Sequence, residues 1–428
     1  MTAAALRDFP ARPGQRIWLY SLGKAAHPMA AAAVAALQRS LLPIAGGVIV
    51  SPEVTPSPYT TVSSLQGNHP LPGRLSFTAA GRIGEIAVGM RSDDIAILLL
   101  SGGVSSLIAA PLRGMAESDV GQLFELLLGA GLDIRTMNAV RKRFTRWGAG
   151  RLALALAPAR TYAFVISDVI GDDPADIGSG PCTADPSTVT QVVDTLQRSA
   201  LLTRLSPAMR DYLTGVARGV IPETPKHTHP AFAHVTTRVI GSNRLALDAA
   251  SAHARSLALD VQCMPEPLQG DAATCGTLVA DAMLERALQG RPGCIIWGGE
   301  TTVNLTANAP FSGRGSGAAG LAAPDAPPSG GRCQEFALAA SRRLAQGGEG
   351  AARVTILAAG TDGRDGTVDA AGAFAHASLW SAIRDAGRDP ELALQRHESH
   401  AVLAAAGALL PRRFTGTNVM DVVIGLME

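Results

Sequence analysis

Apolar residues along this chain gather into short, unbroken runs that stop at glycine. Such runs are "RIWLYSLGK" (16–24), "GGVIVSP" (46–52), "IAILLLSGG" (95–103), "TYAFVISDVIGDD" (161–173), "TTRVIGSN" (236–243), "CIIWGGE" (294–300) and "RVTILAAGTDG" (353–363). Most lack alternation, as expected of strands covered on both faces. Between them lie Ala/Leu-rich helical patterns such as "KAAHPMAAAAVAALQRSL", "ESDVGQLFELLLGAGL" and "SNRLALDAASAHARSLAL". Strand and helix therefore alternate, which predicts an α/β fold of mostly parallel sheets flanked by helices. Ligands in such folds collect at the carboxyl ends of strands, where these glycine turns fall.

A chain of 428 residues is too long for one simple core and predicts two domains. We place them at 1–235 and 236–428, because "GVIPETPKHTHPAFAHV" (219–235) has no periodicity and reads as a connection. The Gly/Ala/Pro/Ser-rich stretch from 306 to 331 reads as a flexible insertion. Lys+Arg 37 against Asp+Glu 36 leaves a net charge of +1, which gives no electrostatic reason to expect nucleic acid. The five cysteines are scattered without a CxxC pair, which argues against a disulfide framework or a structural zinc site. His227, His229 and His234 sit in the proline-rich stretch, and we read them as incidental. The N-terminus lacks the order of a signal peptide and no apolar stretch approaches a membrane span, so a soluble, cytoplasmic protein is expected.

The candidate chemistry sits at the strand ends. Lys24 follows the first apolar run and Gly23, where a helix start and a cation favour an anion. "LLLSGGVSSL" (98–107) places Ser101, Gly102, Gly103 and Ser105 in a turn that resembles a phosphate or carboxylate cradle. "TMNAVRKRFTRWGAGRLA" (136–153) concentrates five cations. Most read as a solvated helix face, with one or two able to reach an anionic substrate. "VISDVIGDDPADIGSGPCTADPST" (165–188) and "GTDGRDGT" supply Asp168, Asp172, Asp362 and Asp365 after buried runs. Carboxylates there suit Mg²⁺ or activation of a substrate hydroxyl. Glu300 follows "IIWGG", and Arg332 opens the helix "RCQEFALAAS". Anion cradles, cations and strand-end acids together are the parts that phosphoryl transfer needs. A hydride-transferring enzyme would instead show GxGxxG with an acid about 20 residues on.

In order along the chain, "LGKAAHPMA", "NHPLPG", "LLLSGGVSSL", "NAVRKRF", "VISDVIGDDPADIGSGPCTADPST", "WGGETTVNL", "GGRCQEFAL", "GTDGRDGTVDAAGAF" and "TGTNVMDVVIGL" resemble the motifs of two-domain bacterial glycerate 2-kinases with a C-terminal MOFRL domain. The resemblance implies a Rossmann-like first domain and an active site in the cleft between the two domains. It also implies transfer of the ATP γ-phosphate to the 2-hydroxyl of D-glycerate with Mg²⁺. Lys24 and Arg332 match the basic residues proposed as catalytic in the family. Asn138 falls in the "NAVRKRF" motif with Arg141 and Lys142, and we assign these three, the cradle residues and Glu300 to substrate or phosphate binding. The four acids would divide hydroxyl activation and metal binding; we assign Asp168 and Asp362 to the first and Asp172 and Asp365 to the second. The chain departs from the family pattern at Val104, Arg143, Gly148, Cys333 and His400. The expected partner is a small hydroxy acid, not nucleic acid or membrane, with a homodimer left open. Two alternatives keep the fold: reduction of hydroxypyruvate, and a non-catalytic nucleotide- or organic-acid-binding paralogue.

Overall fold

The computed structural model describes all residues except Asp8, Pro13, Pro58 and 306–328. The insertion expected at 306–331 therefore lies almost wholly outside the described residues. The chain forms two compact units, Met1–Ser242 and Asn243–Glu428. Among the described residues, no helix is long and apolar enough to cross a membrane.

The first unit is built on β1 (Ile17–Leu22), β2 (Ile44–Ser51), β3 (Val62–Gln66), β4 (Ile95–Leu100), β5 (Arg160–Ile166) and β6 (Val235–Gly241). They lie in the order β3-β2-β1-β4-β5-β6, and every pairing is parallel. The continuous apolar runs explain this arrangement. Leu98 and Leu100 of β4 share a core with Ala79 and Ile83 of the helix Arg74–Val88. Ile97 and Leu99 on the opposite face are equally buried, so both faces of the strand must be covered. Each such side chain contributes about 1.5–3 kcal/mol by leaving water. Strand order reverses direction between β1 and β4, which opens a crevice at their carboxyl ends.

The proline-rich segment expected as a connection is instead packed into the first unit. Glu223 pairs with Arg143 and accepts the Val189 N–H at 2.8 Å. Thr224 Oγ1 donates to Asp185 at 2.8 Å, and Lys226 Nζ donates to the Ser187 carbonyl at 2.5 Å. Its polar side chains, which carry no periodic signal, hold it down. The following strand, β6, joins the first sheet through β5, so the division between units falls after it.

The second unit contains β7 (Val261–Cys263), β8 (Leu268–Asp271), β9 (Gly293–Thr302), β10 (Val354–Gly360), β11 (Ala370–His376), β12 (Leu409–Pro411) and β13 (Asp421–Met427). The order is β12-β11-β10-β13-β9-β7, with β8 also paired to β9. Here the expectation of a mostly parallel sheet needs correction. Only β7 and β8 run parallel to β9, while the pairings through β10, β11, β12 and β13 are antiparallel. The reason is local. The "GTDGRDGT" loop joins β10 directly to β11, and without a crossover helix two sequential neighbours must run antiparallel. The α/β class stands, because the helices Ala272–Leu288 and Arg332–Ala345 pack against this sheet in one core with Phe336, Ile356 and Val423.

Candidate active site

In the first unit, several loops meet at the crevice between β1 and β4. The Ser101 N–H donates to the Leu22 carbonyl at 3.0 Å, the Lys24 N–H to the Gly102 carbonyl at 2.9 Å, and the Ala25 N–H to Ser101 Oγ at 3.0 Å. These ties place the exposed Lys24 beside the Gly102–Gly103 turn. A Cβ on Gly102 would collide with the Asp168 carboxylate. A Cβ on Gly103 would lie 3.0 Å from the His69 ring and 3.4 Å from Lys24 Cγ, at a backbone φ of +88°. Glycine is needed at both positions for close approach, and at the second also for the left-handed turn. Among the described residues, the Gly102 and Gly103 amides, the Lys24 ammonium and the His69 ring have no hydrogen-bond partner. Unpaired amides beside an ammonium form a place for an anion.

Burial raises the Asp168 carboxyl above the ordinary aspartate range, against the pull of Lys24. Burial, with Lys24 adding to it, pushes the His69 imidazole down to about 4. Asp168 is thus a stronger base than a free aspartate, and His69 is neutral at pH 7. The sequence reading assigned no role to His69. Its signal was its place in "NHPLPG", a stretch without periodicity.

The remaining candidates of this unit face inward. Ser101 Oγ is buried and engaged with Ala25, while Ser105 Oγ lies 2.8 Å from Ser179 Oγ. Both hydroxyls tie loops together and are taken up within the protein. The helix Ile134–Phe144 buries Arg141, Lys142 and Arg143. The Arg141 guanidinium lies 4.5 Å from the Phe124 ring centroid, and burial lowers its pKa to about 10. Lys142 Nζ donates to the Ala175 carbonyl at 3.0 Å and lies 3.6 Å from Asp185. Arg143, fully buried, joins Asp185 and Glu223. Lys142 and Arg143 are buried with acidic partners, whereas the buried Arg141 has no acidic partner among the described residues and its Nε meets no acceptor. Asn138 donates Nδ2 to the Asp176 carbonyl at 3.1 Å, and its buried Oδ1 has no partner. Val104 turns inward against Gly178 and is fully buried, so its bulk stays off the open side of the turn.

The second unit gathers its own set of charges. Arg332, on the first turn of the helix Arg332–Ala345, donates Nε and Nη2 to the two Asp421 oxygens at 2.6 and 2.8 Å. Its Nη1 lies 3.1 Å from Glu300. Burial opposes the Arg332 charge, but Asp421 and Glu300 hold its pKa above the ordinary guanidinium value. Burial pushes the Asp421 carboxyl up to about 6, with Arg332 pulling the other way. The antiparallel sheet explains the meeting: Asp421 opens β13, yet it pairs with Gly299 near the end of β9 and with Gly360 at the end of β10. The sequence reading missed Asp421 because it searched for acids after strands, not before them.

Asp365 is buried and accepts the Cys333 and Gln334 N–H groups at 3.0 and 2.8 Å, and Gln334 Nε2 at 2.8 Å. His400 Nδ1 completes this chain at 2.9 Å from Gln334 Oε1. Asp365 thus caps the helix that carries Arg332, with both of its oxygens met by protein donors. Asp362 accepts the Arg364 N–H at 2.9 Å through Oδ1, and its Oδ2 has no partner among the described residues.

Known proteins resemble this chain over nearly its whole length. Residues 2–214 match a family model described as a domain of unknown function (DUF4147), and residues 293–421 match the MOFRL family. A D-glycerate 2-kinase of Thermotoga maritima is 32% identical over 96% of this chain and 91% of its own length. The chain belongs to the glycerate 2-kinase family. A solved glycerate kinase structure from Thermotoga maritima aligns with a TM-score of 0.82 and 31% identity, covering 100% of this chain and 95% of that one. A relative in Agrobacterium vitis, 34% identical over 98% of this chain and 89% of its own length, carries the name hydroxypyruvate reductase.

Kinase family membership implies Mg²⁺, and the residues of the first unit fit a weakly held ion. Asp172 sits at a φ of +54° with a buried Oδ1 that no protein donor reaches, a carboxylate oxygen available to a cation. Among the described residues no cluster of three His, Cys, Asp or Glu could form a metal cage. Mg²⁺ is commonly held by one or two carboxylates, with phosphate oxygens and water completing its shell.

Proposed function

We propose that this chain transfers the γ-phosphate of ATP to the 2-hydroxyl of D-glycerate, giving 2-phosphoglycerate and ADP. The observation that carries the reading is the group of unpartnered donors, Lys24 and the Gly102 and Gly103 amides, gathered beside Asp168 at the crevice of the first sheet. The bond between the γ-phosphorus and the ADP oxygen breaks as the bond to the 2-oxygen forms. The hydroxyl proton passes to Asp168, whose burial suits it to accept one. Lys24 and the loop amides hold the phosphoryl oxygens, and Arg332, fixed by Asp421, adds a second charge. Asp362 offers its free Oδ2 as a further carboxylate for the reaction. Mg²⁺, held by Asp172, would neutralise phosphate charge. For the reductase name, the first strand-to-helix turn should read GxGxxG, and here it reads Leu22-Gly23-Lys24-Ala25.

A coupled assay of ADP release with D-glycerate, ATP and Mg²⁺ tests the reading, and conversion of the product by enolase separates 2- from 3-phosphoglycerate. Absence of ADP release with D-glycerate and related hydroxy acids rejects it.

A further inference from the structure

Among the groups at the crevice, His69 has no role so far. It follows β3 on a loop fixed by Asn68, whose N–H donates to Ser76 Oγ at 2.9 Å and whose Oδ1 accepts the Leu75 N–H at 3.0 Å. These bonds tie the loop to the start of the helix Arg74–Val88 and set the ring against Gly103 and Lys24. The ring has no hydrogen-bond partner among the described residues, although it is crowded enough by its neighbours to lose basicity. An exposed imidazole with no protein partner among the described residues, next to unpaired amides and an unpaired ammonium, is available to a ligand.

We propose that His69 is a substrate-contacting residue, whose ring nitrogen hydrogen-bonds the hydroxy acid and holds its hydroxyl against Asp168. The proposal rests on the kinase reading for the identity of that acid. Proton transfer is assigned elsewhere by the local fields. The same crevice raises the Asp168 carboxyl and lowers the His69 imidazole, so the carboxylate takes the proton and the neutral ring positions the substrate. His69 thereby favours a small acid whose hydroxyl lies next to its carboxylate.

Two measurements test this. In the first, the imidazole resonances of His69, assigned by comparison with a His69→Gln variant, are followed as D-glycerate alone is added. The His69 signals are expected to shift saturably, with no other histidine shifting as far. In the second, His69→Ala is expected to raise KM for D-glycerate by ~10–100-fold and leave KM for ATP within about twofold. His69→Asn, which keeps a neutral hydrogen-bonding group, should recover most of the loss. An unmoved His69 signal, or an equal rise in both KM values, overturns the proposal. So does an Asn variant as impaired as Ala that has also lost the acidic limb of its pH profile, because that pattern would mark a base. If the wild-type protein releases no ADP while the His69 signals still respond to D-glycerate, the kinase reading fails and the contact stands.

Discussion

The two clusters of charge differ in how they are satisfied. In the first unit the functional groups are left open: the Lys24 ammonium, the Gly102 and Gly103 amides and Asp172 Oδ1 meet no protein partner among the described residues. In the second unit nearly every charge is already matched, Arg332 with Asp421 and Glu300, Asp365 with the helix amides, and Glu335 with His397 at 2.9 Å. An open group gains its interaction when substrate arrives, whereas a matched group gives a fixed direction before it does. Substitutions in the open half should therefore cost rate with little stability, and those in the matched half should cost both.

The largest effect is expected for Lys24→Ala and Asp168→Asn, each lowering kcat by ~10²–10⁴-fold with an unchanged melting temperature. A large drop in Tm would remove the contrast. Next, Arg332→Ala should lower kcat and also destabilise by about 2–4 kcal/mol, because Asp421 would stay buried without its guanidinium. The Lys24→Ala/Arg332→Ala double variant sharpens the comparison. If Lys24 and Arg332 serve the same step, kcat should fall little beyond the worse single variant, and a simple product of the two losses would mark their effects as independent.

A smaller effect concerns pH. The folded pKa of Asp421, about 6, lies above its ordinary 3.8, so between these values the folded protein binds more protons than the unfolded chain. Stability from this group therefore rises as pH falls through that window, opposite to an ordinary paired carboxylate. Thermal scans from pH 7 to 4 should show Asp421→Asn losing ground to wild type as the solution is acidified. Constant spacing between the two curves would contradict the burial argument. The smallest effect is expected for Ser105→Ala, which removes the bond to Ser179 at a cost of about 0.5–1.5 kcal/mol and leaves kcat nearly unchanged. A strong loss of activity would return that hydroxyl to the substrate.

How legible these halves were in the sequence follows from the same physics. Lys24, Asp168 and the Gly102–Gly103 turn could be read because each closes an apolar run in a parallel sheet, where strand ends and ligand sites coincide. The second sheet breaks that rule. The strand β11, "AAGAFAH", has few β-branched or aromatic residues and gave no strand signal. Its absence hid the antiparallel return that brings the start of β13 to the ends of β9 and β10. Asp421 was lost with it. The burial of Lys142 and Arg143 was hidden for another reason: a run of cations is normally solvated, and the acids that let these two be buried, Asp185 and Glu223, lie far along the chain. Long-range pairing of this kind leaves no local trace.

The placement of β13 also bears on biosynthesis. It follows β9, β10, β11 and β12 along the chain but sits between β10 and β9 in the sheet. While the ribosome is still extending the polypeptide, the second unit lacks its middle strand and cannot close, although the first unit is already complete enough to fold. Because Asp421 opens that strand, the arginine it secures gains its counter-ion only after β13 has emerged and inserted. A growing chain that has not yet released β13 would then hold a formed first sheet beside an open second one.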